Sequence, residues 1–276
     1  MITSHRNGRH ISVLLAARGI NPLSRLFQRE LAALLDKLEA QRPQPAAVLI
    51  GFDAGPADRG HEREHLLALT PAQAADCMHM LDAYNALLRR LENLALPVTA
   101  TLGGEISGHA FGLALACHRR VASREARVSL PQVLHGLAPA GGEIVRSVRL
   151  AGLRAAMPLL LEGAALSAAQ ALRAGLLHAI ADDEVQLDHV VLNKATFARP
   201  WQARGYRPPG GALDSAPVRA LLQTAPARLK SPAAAAVLCA MVEGLQVDFD
   251  TALTIESRYF CQTAISQARL KGGFSF

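Results

Sequence analysis

The chain has 276 residues, half of them apolar, with few aromatics and a formal net charge of +6, so it can bury a large, mainly aliphatic core as one domain or one domain with an appendage. No basic block with interleaved aromatics accompanies the charge, which argues against a nucleic-acid partner, and no stretch approaches the roughly 20 apolar residues of a membrane span. Cys77, Cys117, Cys239 and Cys261 lie far apart among apolar residues, with no Cys-x-x-Cys pair and no Cys/His cluster at zinc spacing; reduced core thiols, no metal and a cytoplasmic location are expected.

The opening run HRNGRHISVLLAARG places basic residues before an apolar stretch, but Ile11 to Ala17 is at the short limit for a signal segment. His10 to Ala16 reads instead as a strand. Asn21-Pro22-Leu23-Ser24 then opens a helix with Leu26, Phe27, Leu31, Leu34, Leu35 and Leu38 on one face. Ala46 to Ile50 is a short apolar strand, and Gly51 to Gly60 a loop. Thr70-Pro71 is an N-cap and first-turn pair for a long helix with Ala74, Cys77, Met78, Leu81, Leu88, Leu91 and Leu94 at three- and four-residue steps.

Val98 to Leu102 returns as a strand ended by Gly103-Gly104. A short apolar helix over Phe111 to Cys117, a strand over Arg120 to Ala122 and another over Val128 to Val133 follow. Ser167 to Gln170 is a capping-box signature, and Gly175 is placed to stop that helix. Strands alternating with helices predict α/β layers with mainly parallel strands. Residues 199 to 217 read as a loop or linker, and the pattern beyond is helical to Leu270. The expected division is an α/β core over 1–198 and a helical subdomain over 199–276.

The stretch LPQVLHGLAPAGGE, residues 130 to 143, has the shape of an active-site strand turning into a helix. Its polar side chain at the bend is Gln132, an amide, and its first carboxylate is Glu143.

Three segments in register carry a resemblance: LPVTATLGGEISGHAFGLALACHRRVAS, LPQVLHGLAPAGGEIVRSVRLAG and LLLEGAALSAAQALRAGLLHAI. Together they resemble the crotonase (enoyl-CoA hydratase/isomerase) superfamily. LALACHRRV and the tail KSPAAAAVLCAMVEGLQVDFDTALTIESRYF are most similar to the hydratase half of bifunctional fatty-acid-oxidation enzymes. The resemblance implies a repeated ββα core with a helical C-terminal region and an acyl-CoA thioester as substrate. Coenzyme A is then part of the substrate, and no separate cofactor is implied. A homotrimer or hexamer is implied as well, although the tail is similar to a form whose C-terminal helices fold back on their own chain.

Such chemistry passes through a thioester enolate or tetrahedral oxyanion stabilised by two backbone N–H groups, one donor contributing about 2.7–4 kcal/mol. The resemblance places the first donor at His61, within residues 57 to 62. It places the second at His109, in the Gly108-His109-Ala110 section that stands for the family's glycine triplet. Arg59 and Arg63 are candidates for the phosphates of coenzyme A. The two glutamates of family hydratases, in G-G-G-x-E and L-P-E-V, are replaced here by Gly112 and Gln132. An amide takes no proton near neutral pH, and losing an acid–base group costs about 10²–10⁴-fold in rate.

Glu143 stands where the family has a glycine. It is either a replacement acid or a solvent-facing acid at a helix N-terminus. Glu105 reads as a loop carboxylate, His135 as structural or exposed, and His118 as structural. Gly112 leaves room for a water, a bicarbonate or a substrate carboxylate. Two functions remain open: a thioester enzyme (lyase, isomerase, hydrolase or decarboxylase) with non-standard acid–base groups, or a catalytically inactive binding or partner protein.

Overall fold

Alternate burial of Ile11, Val13 and Leu15 marks β2, His10–Leu15, as a strand with one face on the core. The structure, a computed structural model, describes residues 2–8, 10–53, 69–181 and 199–272. β2 is preceded by β1, Ile2–Asn7, which pairs with it antiparallel from Asn7↔His10 to Ile2↔Leu15. The Asn7-Gly8 dipeptide, with Gly8 at φ 54°, is a hairpin signal that the apolar run after it obscures.

From β2 the sheet runs parallel through β3 (Ala47–Phe52), β4 (Val98–Leu102), β6 (Arg119–Ala122) and β9 (Ala179–Ile180). Central strands of such a sheet are covered on both faces, and Val98, Thr99, Ala100 and Leu102 of β4 are all buried. Helix α1 (Arg25–Ala40) begins at its Ser24 cap as expected, whereas Thr70 opens a 3₁₀ turn, Pro71–Gln73, that leads into α2 (Ala74–Glu92). Ser24 Oγ accepts from the Phe27 amide at 3.2 Å, and the Thr70 amide donates to Gln73 Oε1 at 2.9 Å. A second sheet joins β5 (Glu105–Ser107), β7 (Arg127–Ser129) and β8 (Leu166–Ser167). Between β5 and β6 runs the apolar helix α3, His109–Ala116, every residue of which is buried.

The C-terminal end of α3 is held by two buried guanidinium groups. Arg120 donates to the carbonyls of Leu115, Cys117 and Leu176, and Arg199 to those of Ala116 and Cys117. Cations at this end complement the helix dipole. Burial, with Arg199 close by, pushes the Arg120 pKa down to about 9. His118 is structural, as its position implied: Nδ1 accepts the Val98 amide at 3.1 Å, and burial pushes its pKa down to about 4.

Helix α4 follows, Glu143–Leu161, broken at Gly152, and then the short α5, Ala168–Arg173, with the Ser167/Gln170 capping box formed. Beyond residue 199 come α6 (Ala216–Thr224), α7 (Pro232–Gly244) and α8 (Phe249–Gly272). Val218, Val237, Ala240 and Met241 of these helices enter the same apolar core as the sheet. α8 lies against α2, α4 and α7. It brings Cys261 to 2.9 Å from Cys77, sulfur to sulfur, in a cluster with Leu81, Leu137, Ala140, Phe260 and Ala264. Two cysteines far apart in sequence are thus neighbours, and Cys239, expected in the core, is exposed on α7. Among the described residues no helix is long and apolar enough to cross a membrane.

Candidate functional site

Three chain reversals converge at the N-terminal ends of α3 and α4. The first follows β5, where Gly108 adopts φ 58° and ψ −134°, a conformation that L side chains rarely reach. Its amide donates to the Ser129 carbonyl at 2.9 Å, which anchors the start of α3 to β7. The first intrahelical bond runs from the Gly112 amide to the Gly108 carbonyl, so the amides of residues 109 to 111 stand at the positive end of the helix. This is where the second oxyanion donor, His109, was expected. The first, His61, and the candidate phosphate ligands Arg59 and Arg63 lie outside the described residues.

The second reversal corrects the strand expected over Val128 to Val133. β7 stops at Ser129, and Pro131–His135 forms a 3₁₀ helix closed by Gly136 at φ 76°. Proline has no N–H to extend a strand ladder and fits the first turn of a helix instead. Gln132 is therefore carried on a tight turn. His135 is exposed, as is Glu105, which begins strand β5 rather than lying in the loop expected for it.

The third reversal is Gly141-Gly142, both with positive φ, leading into α4. Glu143, the first residue of that helix, is 1% exposed, so the solvent-facing reading is wrong. Its side chain turns inward against α3. One carboxylate oxygen accepts from His109 Nδ1 at 2.6 Å, and the other accepts from Gln132 Nε2 at 2.7 Å.

The reason it fits lies across the interface. A Cβ built on Gly112 would fall 2.5 Å from Glu143 Oε1 and 2.9 Å from its Cδ. The room opened by the glycine is occupied by the Glu143 carboxylate, which also repels any substrate carboxylate placed there. The side chain of His109 is drawn toward Glu143 and is 9% exposed.

Residues that sequence reasoning did not single out hold this arrangement in place. Arg146 lies one turn along α4 with no side-chain exposure; it donates to Glu92 Oε1 and to the Gly141 carbonyl, both at 2.8 Å. Thr263 Oγ1 accepts the Ala138 amide at 2.9 Å from α8. Glu256, also on α8, accepts the Val145 amide at 2.9 Å and so caps α4 from outside its own chain segment. No short-range pattern announces such a cap, because its two halves are 111 residues apart.

Burial pushes the Glu256 pKa up to about 8, with the Glu143 charge adding to the shift. A carboxyl whose folded pKa exceeds its ordinary 4.5 holds its proton longer in the folded state, so it costs stability as pH rises from about 4.5 to 8. Glu256→Gln imitates the protonated acid. It is expected to raise stability at pH 7 by on the order of 1–3 kcal/mol, a gain that disappears below about pH 4. Urea melts across pH 4 to 9 measure this; a loss of stability at pH 7 would contradict it.

A family profile described as Enoyl-CoA hydratase/isomerase matches residues 11–203. The chain belongs to the enoyl-CoA hydratase/isomerase family. Curated relatives of this crotonase are named fatty acid oxidation complex subunit alpha. The protein from Shewanella amazonensis is 31% identical over 175 residues, 62% of this chain and 24% of the relative. That from Idiomarina loihiensis is 28% identical over 196 residues, 69% of this chain and 27% of the relative. The crotonase chain thus spans about a quarter of the length of these relatives. Among solved structures, an enoyl-CoA hydratase from Bacillus halodurans superposes with a TM-score of 0.63 at 19% identity, covering 98% of this chain and 99% of that one. One from Thermoplasma volcanium gives 0.59 at 19% identity, covering 98% and 95%. At such identities the likeness is one of fold.

Proposed function

We propose that this crotonase binds an acyl thioester of coenzyme A at the N-terminal end of α3 and acts on it with Glu143 in the place of the glutamate missing at position 112. Family membership and relatives named for fatty acid oxidation support the substrate class. The single observation behind an active site is the interpenetration of Glu143 with the space over Gly112. One helix lost a carboxylate and the facing helix supplies one to the same volume, with two donors fixing its plane. A decayed site has no reason to keep that exchange.

The other reading, a protein that binds and does not catalyse, draws on the 1% exposure of Glu143 and on Gln132, which cannot carry a proton. Calorimetry with crotonyl-CoA and butyryl-CoA, followed by turnover of both esters by wild type and Glu143→Gln, separates the two. Binding with turnover that falls about 10²–10⁴-fold in the variant is the expected result. Binding without turnover makes it a binding protein, and absence of binding removes the thioester.

A further inference from the structure

We infer that Cys77 and Cys261 form a reversible disulfide, closed by a small peroxide, that clamps α8 onto α2 beneath the turn delivering Glu143. The inference stands apart from the thioester reading and holds whichever reaction the site performs.

The two residues are 184 positions apart, on the two long helices α2 and α8. Their sulfurs meet at 2.9 Å, with the Cys261 thiol donating to Cys77 Sγ. A cysteine buried as a small apolar residue packs against hydrocarbon. Hydrocarbon is at hand here in Leu81, Leu137, Ala140, Phe260 and Ala264, yet the two thiols face each other. Sulfurs in a disulfide are about 2.05 Å apart, so an approach of about 0.9 Å completes the bond. Small side-chain rotations supply it.

The contact also divides the roles. Donation from Cys261 holds the Cys77 thiol below its ordinary pKa, against the opposing effect of burial. The same contact, burial and the Asp82 charge push Cys261 up. Cys77 is thus the sulfur that attacks, and Cys261 the one that resolves. Both residues are 4% exposed, which admits a molecule as small as hydrogen peroxide and holds off a bulky disulfide such as oxidised glutathione. The other two cysteines differ: burial pushes the Cys117 pKa up to about 12, and Cys239 is exposed on α7.

The Cys77 thiolate attacks one peroxide oxygen, the O–O bond breaks with its electron pair on the departing oxygen, and Cys77 becomes a sulfenic acid as hydroxide leaves. The Cys261 sulfur then attacks the Cys77 sulfur, and the S–O bond breaks with release of a second hydroxide. The protons of the two thiols turn both hydroxides into water. Two thiols are oxidised, one peroxide is reduced, and a dithiol reverses the bond by exchange.

Position gives the bond a consequence. Leu137 and Ala140, just before Gly141-Gly142, pack in the same cluster as both sulfurs. Thr263 accepts the Ala138 amide and Glu256 the Val145 amide, both from the helix that carries Cys261. The disulfide closes a loop of 184 positions that contains His109, Gly112, Gln132 and Glu143, and it ties down the helix supporting their turn.

The test treats purified wild type with hydrogen peroxide, blocks the remaining thiols after unfolding, and maps the peptides by mass spectrometry without reduction. A linked Cys77–Cys261 peptide that dithiothreitol releases is expected, with Tm about 5–10 °C higher for the linked protein than for the reduced one. Oxidised glutathione at the same concentration is expected to form the bond several-fold more slowly. Cys77→Ala and Cys261→Ala each abolish the linked peptide and the rise in Tm. The wild-type map needs no variant, so it stands even where a variant folds poorly. Retention of both thiols, or Cys77 carried on to sulfinic acid without linkage, overturns the pair. A linked peptide with no rise in Tm overturns the clamp, and equal rates with the two oxidants overturn the assignment of peroxide.

Discussion

Replacing Gly112 by glutamate is expected to destabilise the protein by about 3 kcal/mol, and adding Glu143→Gly is expected to restore most of it. The new side chain must start 2.5 Å from Glu143 Oε1, inside van der Waals contact, in a helix whose residues are all buried. Overpacking of this kind costs about 1–3 kcal/mol, and a second carboxylate in the same volume forces one of the two to take up a proton. Glu143→Gly alone removes the acceptor of both His109 and Gln132, costing about 1–3 kcal/mol. The double variant exchanges the carboxylate between helices, so the two penalties cancel in large part.

Denaturant melts of the four proteins give the coupling directly. If Gly112→Glu costs no more with Glu143 present than with glycine there, the two residues do not share a volume. The same geometry governs any attempt to build a standard hydratase site. Gly112→Glu with Gln132→Glu is expected to fail, and adding Glu143→Gly is expected to yield crotonyl-CoA hydration.

Glu92→Leu is expected to cost about 3–5 kcal/mol, because it leaves the Arg146 guanidinium buried without its carboxylate. Both side chains are fully buried, and Arg89 donates to the second Glu92 oxygen at 2.8 Å. Burial works against the Glu92 carboxylate, but Arg146 and Arg89 outweigh it and hold the pKa below the usual value. A depressed carboxylate pKa adds stability above about pH 4.5 that is lost as pH falls through the folded value, so the wild type is expected to weaken on acidification.

The pair also reaches the site. Arg146 donates to the Gly141 carbonyl in the turn that delivers Glu143, so the thioester turnover proposed above is expected to fall with Glu92→Leu. Pairing it with Arg146→Met removes the stranded charge and is expected to return stability to within about 1 kcal/mol, since buried ion pairs exchange for apolar residues at little cost. The turn loses its anchor in that double variant, and activity is expected to stay low. A single-variant cost under 1 kcal/mol would show that water reaches Arg146.

The fold was largely legible because its signals are local. Apolar spacing on α1 and α2, the Ser24 cap, the Ser167/Gln170 box and the apolar β4 each act within a few residues, and each formed as read. The 3₁₀ turn at Pro131 differs from the expected strand because its apolar residues imitate one, and only the missing proline N–H sets it apart.

Sequence by itself determined the α/β architecture, the helix N-termini that form the site and the absence of glutamate at positions 112 and 132. Only the tertiary structure decided that Glu143 faces inward. A residue at a helix N-terminus can point to solvent or to a neighbouring helix, and the choice depends on empty volume across the interface. Gly112 provides that volume from 31 positions earlier in the chain. The same holds for Cys77 with Cys261, Glu92 with Arg146 and Glu256 with the start of α4. Each partner is ordinary alone, and only close packing of helices distant in sequence gives the pair its meaning.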